Sequence, residues 1–340
     1  MQSAQGSYAD NGLHAPLQES ASTLNNHQTK LAATVPADLN LASKLAGDVV
    51  IGTGVTFLVA PFLTVVDKAI VESAAGRRTI VESGVESLRG IFYNPKQYFK
   101  SPTFLMMWGV YAATYSTANS LKTISEHQDY RKSHAADEAK GTSGKPVLGH
   151  MGVFLGTTLV NSSSALLKDQ AYAKMFGTNS TNIVVPKLSY AFWIARDFAV
   201  IGSSFVLPDL VSGHVAKTWD IDEKSAKSIS QLVLPVAAQF VASPLHYVGL
   251  DVYNRDLSGK SWPDAVRDRS MFLYRGIGPV IAARIARIAP GYGIGGVLNT
   301  NLRDQWRENL IKQHEQGSFV VNDFASVGTL FQKKRIPLYS

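Results

Sequence analysis

The sequence predicts an all-α membrane protein with six transmembrane helices in three tandem repeats, joined in part by short surface helices. Three observations support this fold class. Long runs carry no charged residue, only 17% of all residues are charged against roughly 25% in average soluble domains, and one arrangement of segments occurs three times along the chain. A low charge fraction combined with runs of membrane-spanning length favours a chain with much lipid-facing surface.

The two ends of the chain are predicted to lie outside the repeats. Residues 1–40 are rich in Ser, Ala, Asn and Gln, so they bury too little apolar surface to offset the entropy of ordering. This predicts a flexible polar N-terminal tail, which lacks the basic and apolar segments of a secretory signal. The C-terminal tail, residues 307–340, has a basic stretch that suits solvent, a membrane surface or a partner.

The first repeat, about residues 41–122, shows the arrangement most clearly. Residues 49–66 are free of charge and contain Pro61, where a helix is expected to kink. A charged connector with a short amphipathic pattern follows, and residues 101–121 form a second uncharged run. A helical run of about 20 residues spans the hydrocarbon core of a bilayer. An isolated run of this length is also compatible with a buried helix of a soluble protein.

The same order of apolar run, charged connector and apolar run returns in about residues 146–216 and 228–306. The four apolar runs of these two repeats are 147–167, 188–209, 231–250 and 273–303. Internal repetition is interpreted before local motifs because it sets the architecture. It predicts six helices in three related pairs, within one domain at residues 41–306.

Two short motifs accompany the repeats. The sequence RDFA at Arg196 resembles the Arg-acid-x-Pro of the mitochondrial carrier family, with Ala199 in place of Pro, and RIAP at Arg287 resembles its Arg-x-x-Pro. With the three repeats, these motifs make residues 41–306 similar to that family. The resemblance implies six helices around a pseudo-threefold axis and a location in a mitochondrial membrane, the inner one being favoured over the outer.

The resemblance also implies that Arg196, Asp197 and Arg287 contact a substrate in a central cavity. Members of the family often move anionic or zwitterionic metabolites, and guanidinium groups make charge-assisted, bidentate contacts to carboxylate or phosphate. The implied function is transport of a small anionic or zwitterionic metabolite. The alternative for these residues is an Arg196–Asp197 pair that neutralises itself inside the bundle.

The chain departs from the family at one end of the bundle, where Pro-x-acid-x-x-base motifs form ion pairs between the repeats. None of the three corresponding places carries the charged residues of that motif. Asp67, Asp169 and Asp251 follow a few residues later. We expect these three residues to cap or end helices without forming the family's ion pairs.

At the opposite end, Asp209 and Arg303 fall at the family's gate positions and can form one bridge, while Ser212 and Thr300 replace the complementary residues. Alternating access needs two states of comparable free energy, so the loss of gate pairs puts it in doubt. The alternative function is therefore a carrier-like protein that no longer transports and serves as a scaffold, a receptor or a membrane-dynamics factor.

No enzyme chemistry is predicted. Nucleophile-elbow and paired-carboxylate signatures are missing, the histidines are scattered without ligand spacing, and the chain contains no cysteine. We therefore expect no metal and no cofactor. The expected partners are the lipid bilayer, including anionic lipids that suit the net charge of +7, and a small-molecule substrate. A protein partner stays open, and nucleic acid is not expected because no basic tract carries interleaved aromatic residues.

Overall fold

The computed structural model describes residues 41–139, 147–178 and 184–315, and all regular secondary structure in these ranges is helical. The all-α part of the predicted fold class is therefore confirmed. The α-helices are α1 (Leu41–Ala74), α2 (Ile80–Tyr93), α3 (Pro95–Phe99), α4 (Pro102–Ala139), α5 (Val147–Phe176), α6 (Lys187–Ile201), α7 (Leu207–Trp219), α8 (Glu223–Ala237), α9 (Gln239–Asn254), α10 (Trp262–Ala286) and α11 (Gly295–Glu315).

The predicted tails fall largely outside this description. The N-terminal tail at residues 1–40 lies wholly outside the described residues. Of the predicted C-terminal tail, residues 307–315 belong to α11, and residues 316–340 lie outside the described part of the chain. Helix α11 therefore extends beyond residue 306, where the predicted domain ends.

The helices of the described ranges pack as six rods, each against the next along the chain: α1, α4, α5, α6–α7, α8–α9 and α10–α11. The last rod packs against α1, so the rods close into a ring. Helices α2 and α3 are short connectors between α1 and α4. Side-chain hydrogen bonds reinforce the ring, as where Trp108 Nε1 on α4 donates to the Thr53 carbonyl of α1 over 3.0 Å.

Two rods contain a π-helical turn. Gly202–Val206 connects α6 to α7, and Ala289–Ile294 lies between α10 and α11. Turns of this type occur frequently at functional sites because they redirect side chains within a continuous helix. The second turn is held against α4 by Tyr115, whose hydroxyl donates to the Gly291 carbonyl over 2.6 Å.

Among the described helices, Leu41–Ala74 and Leu232–Asn254 combine the length and the hydropathy needed to cross a membrane. The other predicted runs form long helices but are less apolar. In α4, Thr114 and Asn119 lower the hydropathy, and their side chains bond to Asn161 and Asn299 of neighbouring helices. The arrangement of six spans in three repeats therefore stays a prediction.

Charged side chains are buried in this bundle, whereas large apolar side chains cover much of its outside. Asp67 and Asp169 are each 1% exposed, while Leu159 and Leu210 are 71% and 72% exposed. Other buried charged residues include Asp48, Lys168, Arg196, Asp251 and Arg284. In a water-soluble bundle, Lys, Arg, Asp and Glu are almost never fully buried unless they are paired. The observed distribution suits a bundle whose outer surface faces lipid.

An apolar core surrounds the buried charges. Its members come from all six rods and include Leu63, Ile70, Met107, Tyr172, Trp193, Tyr247, Leu250 and Val280. Two glycines allow close helix contact here, since a Cβ on Gly249 would lie 2.5 Å from Trp193 Nε1 and one on Gly276 would lie 2.5 Å from the Tyr247 hydroxyl. Both contacts bring α9 against its two neighbours in the ring.

The closure of the ring between α1 and α11 depends on a small residue at position 47. A Cβ on Gly47 would overlap the indole of Trp306, and that indole is fixed by a 3.2 Å hydrogen bond to the Ser43 carbonyl. We expect Gly47→Ala to destabilise the protein by ~1–3 kcal/mol through overpacking. Thermal unfolding of the purified protein in detergent measures the loss.

Gly109→Ala in α4 is the matched control, because a Cβ at Gly109 meets nothing within 4 Å. Alanine favours a helix over glycine by roughly 0.5–1 kcal/mol, so this variant should unfold at the same temperature or higher. Equal unfolding temperatures for the two variants would contradict the close approach of α1 and α11.

Candidate functional site

A layer of buried charged groups crosses the bundle near the C-terminal halves of α1 and α5. Asp67 of α1 forms ion pairs with Lys168 of α5 and with Arg287, which directly follows α10. The Asp67 side chain is 1% exposed and that of Lys168 is 7% exposed. Because a buried carboxylate is stable only when it is paired, Asp67 fixes α1, α5 and α10 relative to one another.

Asp169 is the second carboxylate of this layer. It accepts from Lys168 Nζ at 2.8 Å and from Arg196 Nη1 at 2.6 Å. Arg196 of α6 also contacts Asp197, with Nε and Nη2 at 2.9 and 2.7 Å from Asp197 Oδ1. The Arg196–Asp197 pair that the sequence suggested is therefore present, but Arg196 is shared with Asp169 and does not simply neutralise its neighbour.

Helices α9 and α10 complete the layer through three side chains. Arg284 Nε donates to Gln239 Oε1 at 2.9 Å, and Arg284 Nη1 lies 3.0 Å from His246 Nδ1. A guanidinium has only donors, so His246 Nδ1 accepts, and its Nε2 lies 4.0 Å from Asp169 Oδ1. No described carboxylate forms an ion pair with Arg284. The set Asp67, Lys168, Asp169, Arg196, Gln239, His246, Arg284 and Arg287, here called the Asp67–Asp169 layer, links α1, α5, α6, α9 and α10.

A cavity of about 440 Å³ lies between α4, α5 and α6. Its wall on α6 is formed by Asp197, Val200, Ile201 and Ser204, which are spaced along one helix face and reach into the first π-helical turn. Asp197 therefore belongs both to the charged layer, through its Oδ1, and to the cavity wall. The cavity adjoins the layer at this residue.

Two polar atoms in the cavity wall have no described hydrogen-bond partner: Asp197 Oδ2 and Thr157 Oγ1. Buried polar atoms without a partner are uncommon in folded proteins. Nearby, Thr114 donates to Asn161 Oδ1 at 3.2 Å, and that bond uses only the oxygen of the Asn161 amide. The wall thus offers the carboxylates of Asp197, Glu126 and Asp129, the ammonium of Lys122, hydroxyls and an amide to a small polar molecule.

A second charged cluster, here called the Asp48 cluster, lies near the opposite end of α1. Asp48 accepts from Arg303 Nε at 2.9 Å and from Arg307 Nη2 at 3.2 Å, and the Thr123 hydroxyl of α4 also donates to it. The cluster joins α1, α4 and α11. Asp48 and Asp67 are 19 positions apart in α1, which is roughly 28 Å along the axis. This separation is close to the thickness of a bilayer core, roughly 30 Å.

The structure brings the predicted site residues together only in part. Arg196 and Asp197 lie beside the cavity, whereas Arg287 is engaged by Asp67 in the charged layer. The predicted gate residue Arg303 pairs with Asp48. The side chain of Asp209 lies outside the described residues, so the bridge between Asp209 and Arg303 stays a prediction.

The expectation that Asp67, Asp169 and Asp251 only cap or end helices is wrong. Each lies inside a helix and forms ion pairs, Asp251 with Arg255 and Arg269. The sequence did carry a signal, since the three acids recur at similar places in the three repeats. Their partners sit on other helices or outside the expected motif spacing, so the motif comparison missed them.

These features are typical of helical membrane proteins: an apolar exterior, paired charges inside, and a polar cavity between helices. A family model described as "Probable citrulline exporter" matches residues 52–307, about three quarters of the chain. The chain belongs to this family. No curated protein sequence matches it.

The family match overturns the resemblance to the mitochondrial carrier family and, with it, the argument for a mitochondrial membrane. The resemblance relied on RDFA at Arg196 and RIAP at Arg287. Both are short combinations of a charged residue with a small residue or proline, and paired charges beside helix breaks are common in helical membrane bundles. Such motifs report the physical setting of a helix and do not identify a family.

Asp169→Asn tests whether the charged layer holds the bundle together. The amide keeps the shape but leaves Lys168 and Arg196 without this charge, and breaking a buried pair costs about 3–5 kcal/mol. We expect a large fall in the unfolding temperature of the purified protein in detergent. Asp268→Asn, which breaks an exposed pair with Lys260, should leave it nearly unchanged. Similar losses in the two variants would contradict a special role for the layer.

Proposed function

We infer that the protein is a membrane transporter that exports a small neutral zwitterion, with citrulline as the first candidate substrate, through the cavity between α4, α5 and α6. The observation that carries the proposal is the cavity wall at Asp197, found in a member of a family described as probable citrulline exporters. In this proposal the six rods are the membrane spans, and their apolar outer faces contact lipid.

The size and chemistry of the cavity support a ligand of this class. Its volume of about 440 Å³ falls among pockets that bind small molecules, roughly 300–1,000 Å³. Citrulline carries an ammonium and a carboxylate on one carbon and an uncharged urea group at the far end. The Asp197 carboxylate can accept from the ammonium, while Asn161 and the threonine hydroxyls suit the urea group.

The predicted roles of the two arginines change in this proposal. Arg196 stays beside Asp197, where its positive charge favours the substrate carboxylate. Arg287 instead helps to keep the cavity closed. It pairs with Asp67, and Asp67 also pairs with Lys168, so Arg287 is part of the charged layer. The charged layer then acts as the barrier on one side. Opening that side requires the Asp67 and Asp169 ion pairs to separate.

Arg196 offers a physical link between binding and opening. The Arg196 guanidinium contacts Asp169 in the layer and Asp197 at the cavity. A substrate ammonium on Asp197 competes with Arg196 for the same carboxylate and changes the free energy of the closed layer. A ligand can shift a conformational equilibrium only through such a difference in interaction between the two states.

Asp197→Asn tests the proposed site in liposomes that contain the full-length protein and labelled citrulline. Asparagine can still accept from Arg196 Nε, so the fold should survive, but the charge that holds an ammonium is lost. We expect the transport rate at low substrate concentration to fall roughly 10- to 100-fold, the equivalent of one charge-assisted hydrogen bond. Asp256→Asn, a change of the same size in the loop between α9 and α10, should keep the wild-type rate.

Competition by N-acetylcitrulline, which lacks the ammonium, completes the test. It should inhibit wild-type transport far less than citrulline does, and this preference should shrink in Asp197→Asn. If Asp197→Asn transports like the wild type, the site assignment fails while the transport proposal stands. If the correctly inserted wild-type protein moves neither citrulline nor related amino acids, the transport proposal fails and a scaffold or receptor role gains support.

A further inference from the structure

A second cavity, of about 410 Å³, lies on the flank of the bundle where α2 and α3 meet α1 and α4. It shares no lining residue with the cavity at Asp197. Substrate binding at Asp197 does not involve this second cavity.

The lining of this second cavity carries surplus positive charge. Its charged members are Lys68, Glu86 and Arg89. Glu86 is paired with Arg78. Lys68 Nζ lies 3.7 Å from Oε1 of Glu72, which is not part of the lining. Arg89 is exposed and forms no ion pair among the described residues. With Glu86 and Lys68 each paired, Arg89 supplies the surplus positive charge, and this charge favours an anion in the pocket.

The inner wall adds hydrogen-bonding groups suited to oxygen ligands. Ser87 is 5% exposed, and its Oγ has no described hydrogen-bond partner. Asn94 and Gln97 line the same wall. A phosphate group presents several acceptor oxygens and pairs well with Lys and Arg, so it satisfies both the charge and the unpartnered hydroxyl.

The same helix that forms the pocket also presents an exposed apolar stripe. Val81, Val85, Leu88 and Phe92 follow the spacing i, i+4, i+7 and i+11 on α2, and Phe92 is 79% exposed. The helix start is fixed by a capping box, in which Glu82 accepts from the Thr79 backbone N–H at 2.9 Å. That hydrogen bond holds the pKa of Glu82 below its usual value. A rigid amphipathic helix with apolar residues on its outer face and basic residues beside them is typical of helices in the membrane interface.

We propose that this pocket binds the phosphate headgroup of an anionic membrane lipid, whose acyl chains lie along the apolar stripe of α2. A free phosphate would use the basic pocket but would leave the stripe exposed, whereas a lipid covers both. Helix α1, against which α2 packs, also carries an exposed apolar side chain, Phe62, which is 58% exposed. The proposal rests on the membrane location of the protein and is independent of what it transports.

Lipid titration of the full-length protein in detergent tests this site. The unfolding temperature is followed while phosphatidylglycerol, phosphatidylcholine or inorganic phosphate is added, since a ligand that binds the native state stabilises it by mass action. We expect phosphatidylglycerol to stabilise the wild type more strongly than the other two. The combined variant Lys68→Gln, Arg89→Gln should bind phosphatidylglycerol roughly 5- to 30-fold more weakly, because each basic residue near a lipid surface contributes about 1 kcal/mol.

Lys96→Gln is the matched control, because Lys96 is an exposed basic residue of α3 outside the pocket lining. It should keep the wild-type affinity, and Arg89→Gln alone should show part of the loss, which guards against a folding defect in the combined variant. Equal stabilisation by phosphatidylcholine, equal stabilisation by inorganic phosphate, or full binding by the combined variant would overturn the lipid site. Transport measured separately on these variants tells this failure apart from failure of the transport proposal.

Discussion

The arrangement depends on one constraint, which is that a carboxylate inside a lipid-facing bundle must be paired. Asp67 and Asp169 meet this requirement with cations from other helices, so each ion pair is also a link between rods. An unpaired ion in such a place costs several kcal/mol. The helices therefore cannot move apart at this layer without exchanging ionic partners. This requirement makes the layer suited to act as a barrier whose ion pairs open together.

In the proposed function, substrate binding and closure involve adjacent residues of α6. Arg196 reaches into the charged layer, and it also holds Oδ1 of Asp197, a residue that lines the cavity. The Arg196–Asp197 pair therefore connects the charged layer directly to the cavity wall. The π-helical turn that follows contains Ser204, which lines the same wall as Asp197. In this account the substrate acts on the barrier through a shared carboxylate and needs no long chain of intermediate contacts.

Much of the helical architecture could be predicted, because long runs without charged residues indicate helices directly. Arg196 and Asp197 could be singled out because charges within an apolar run are costly and so mark special positions. Lys168 could not be assigned a partner, since Asp67 is 101 residues away in sequence and pairing across helices leaves no local pattern. The Asp48 cluster was missed for the same reason. The π-helical turns were also unpredicted, because they depend on how neighbouring helices pack.

The most direct test of the account uses single cysteines, since the chain contains none of its own. Thr157→Cys places a thiol on the cavity wall, and Leu159→Cys, two residues further on, places one on the outer face, where Leu159 is 71% exposed. In liposomes, a charged, water-soluble thiol reagent should label position 157, with labelling slowed by citrulline, and should spare position 159 until detergent removes the lipid. Labelling at position 159 but not at position 157 would contradict an aqueous substrate cavity inside a lipid-facing bundle.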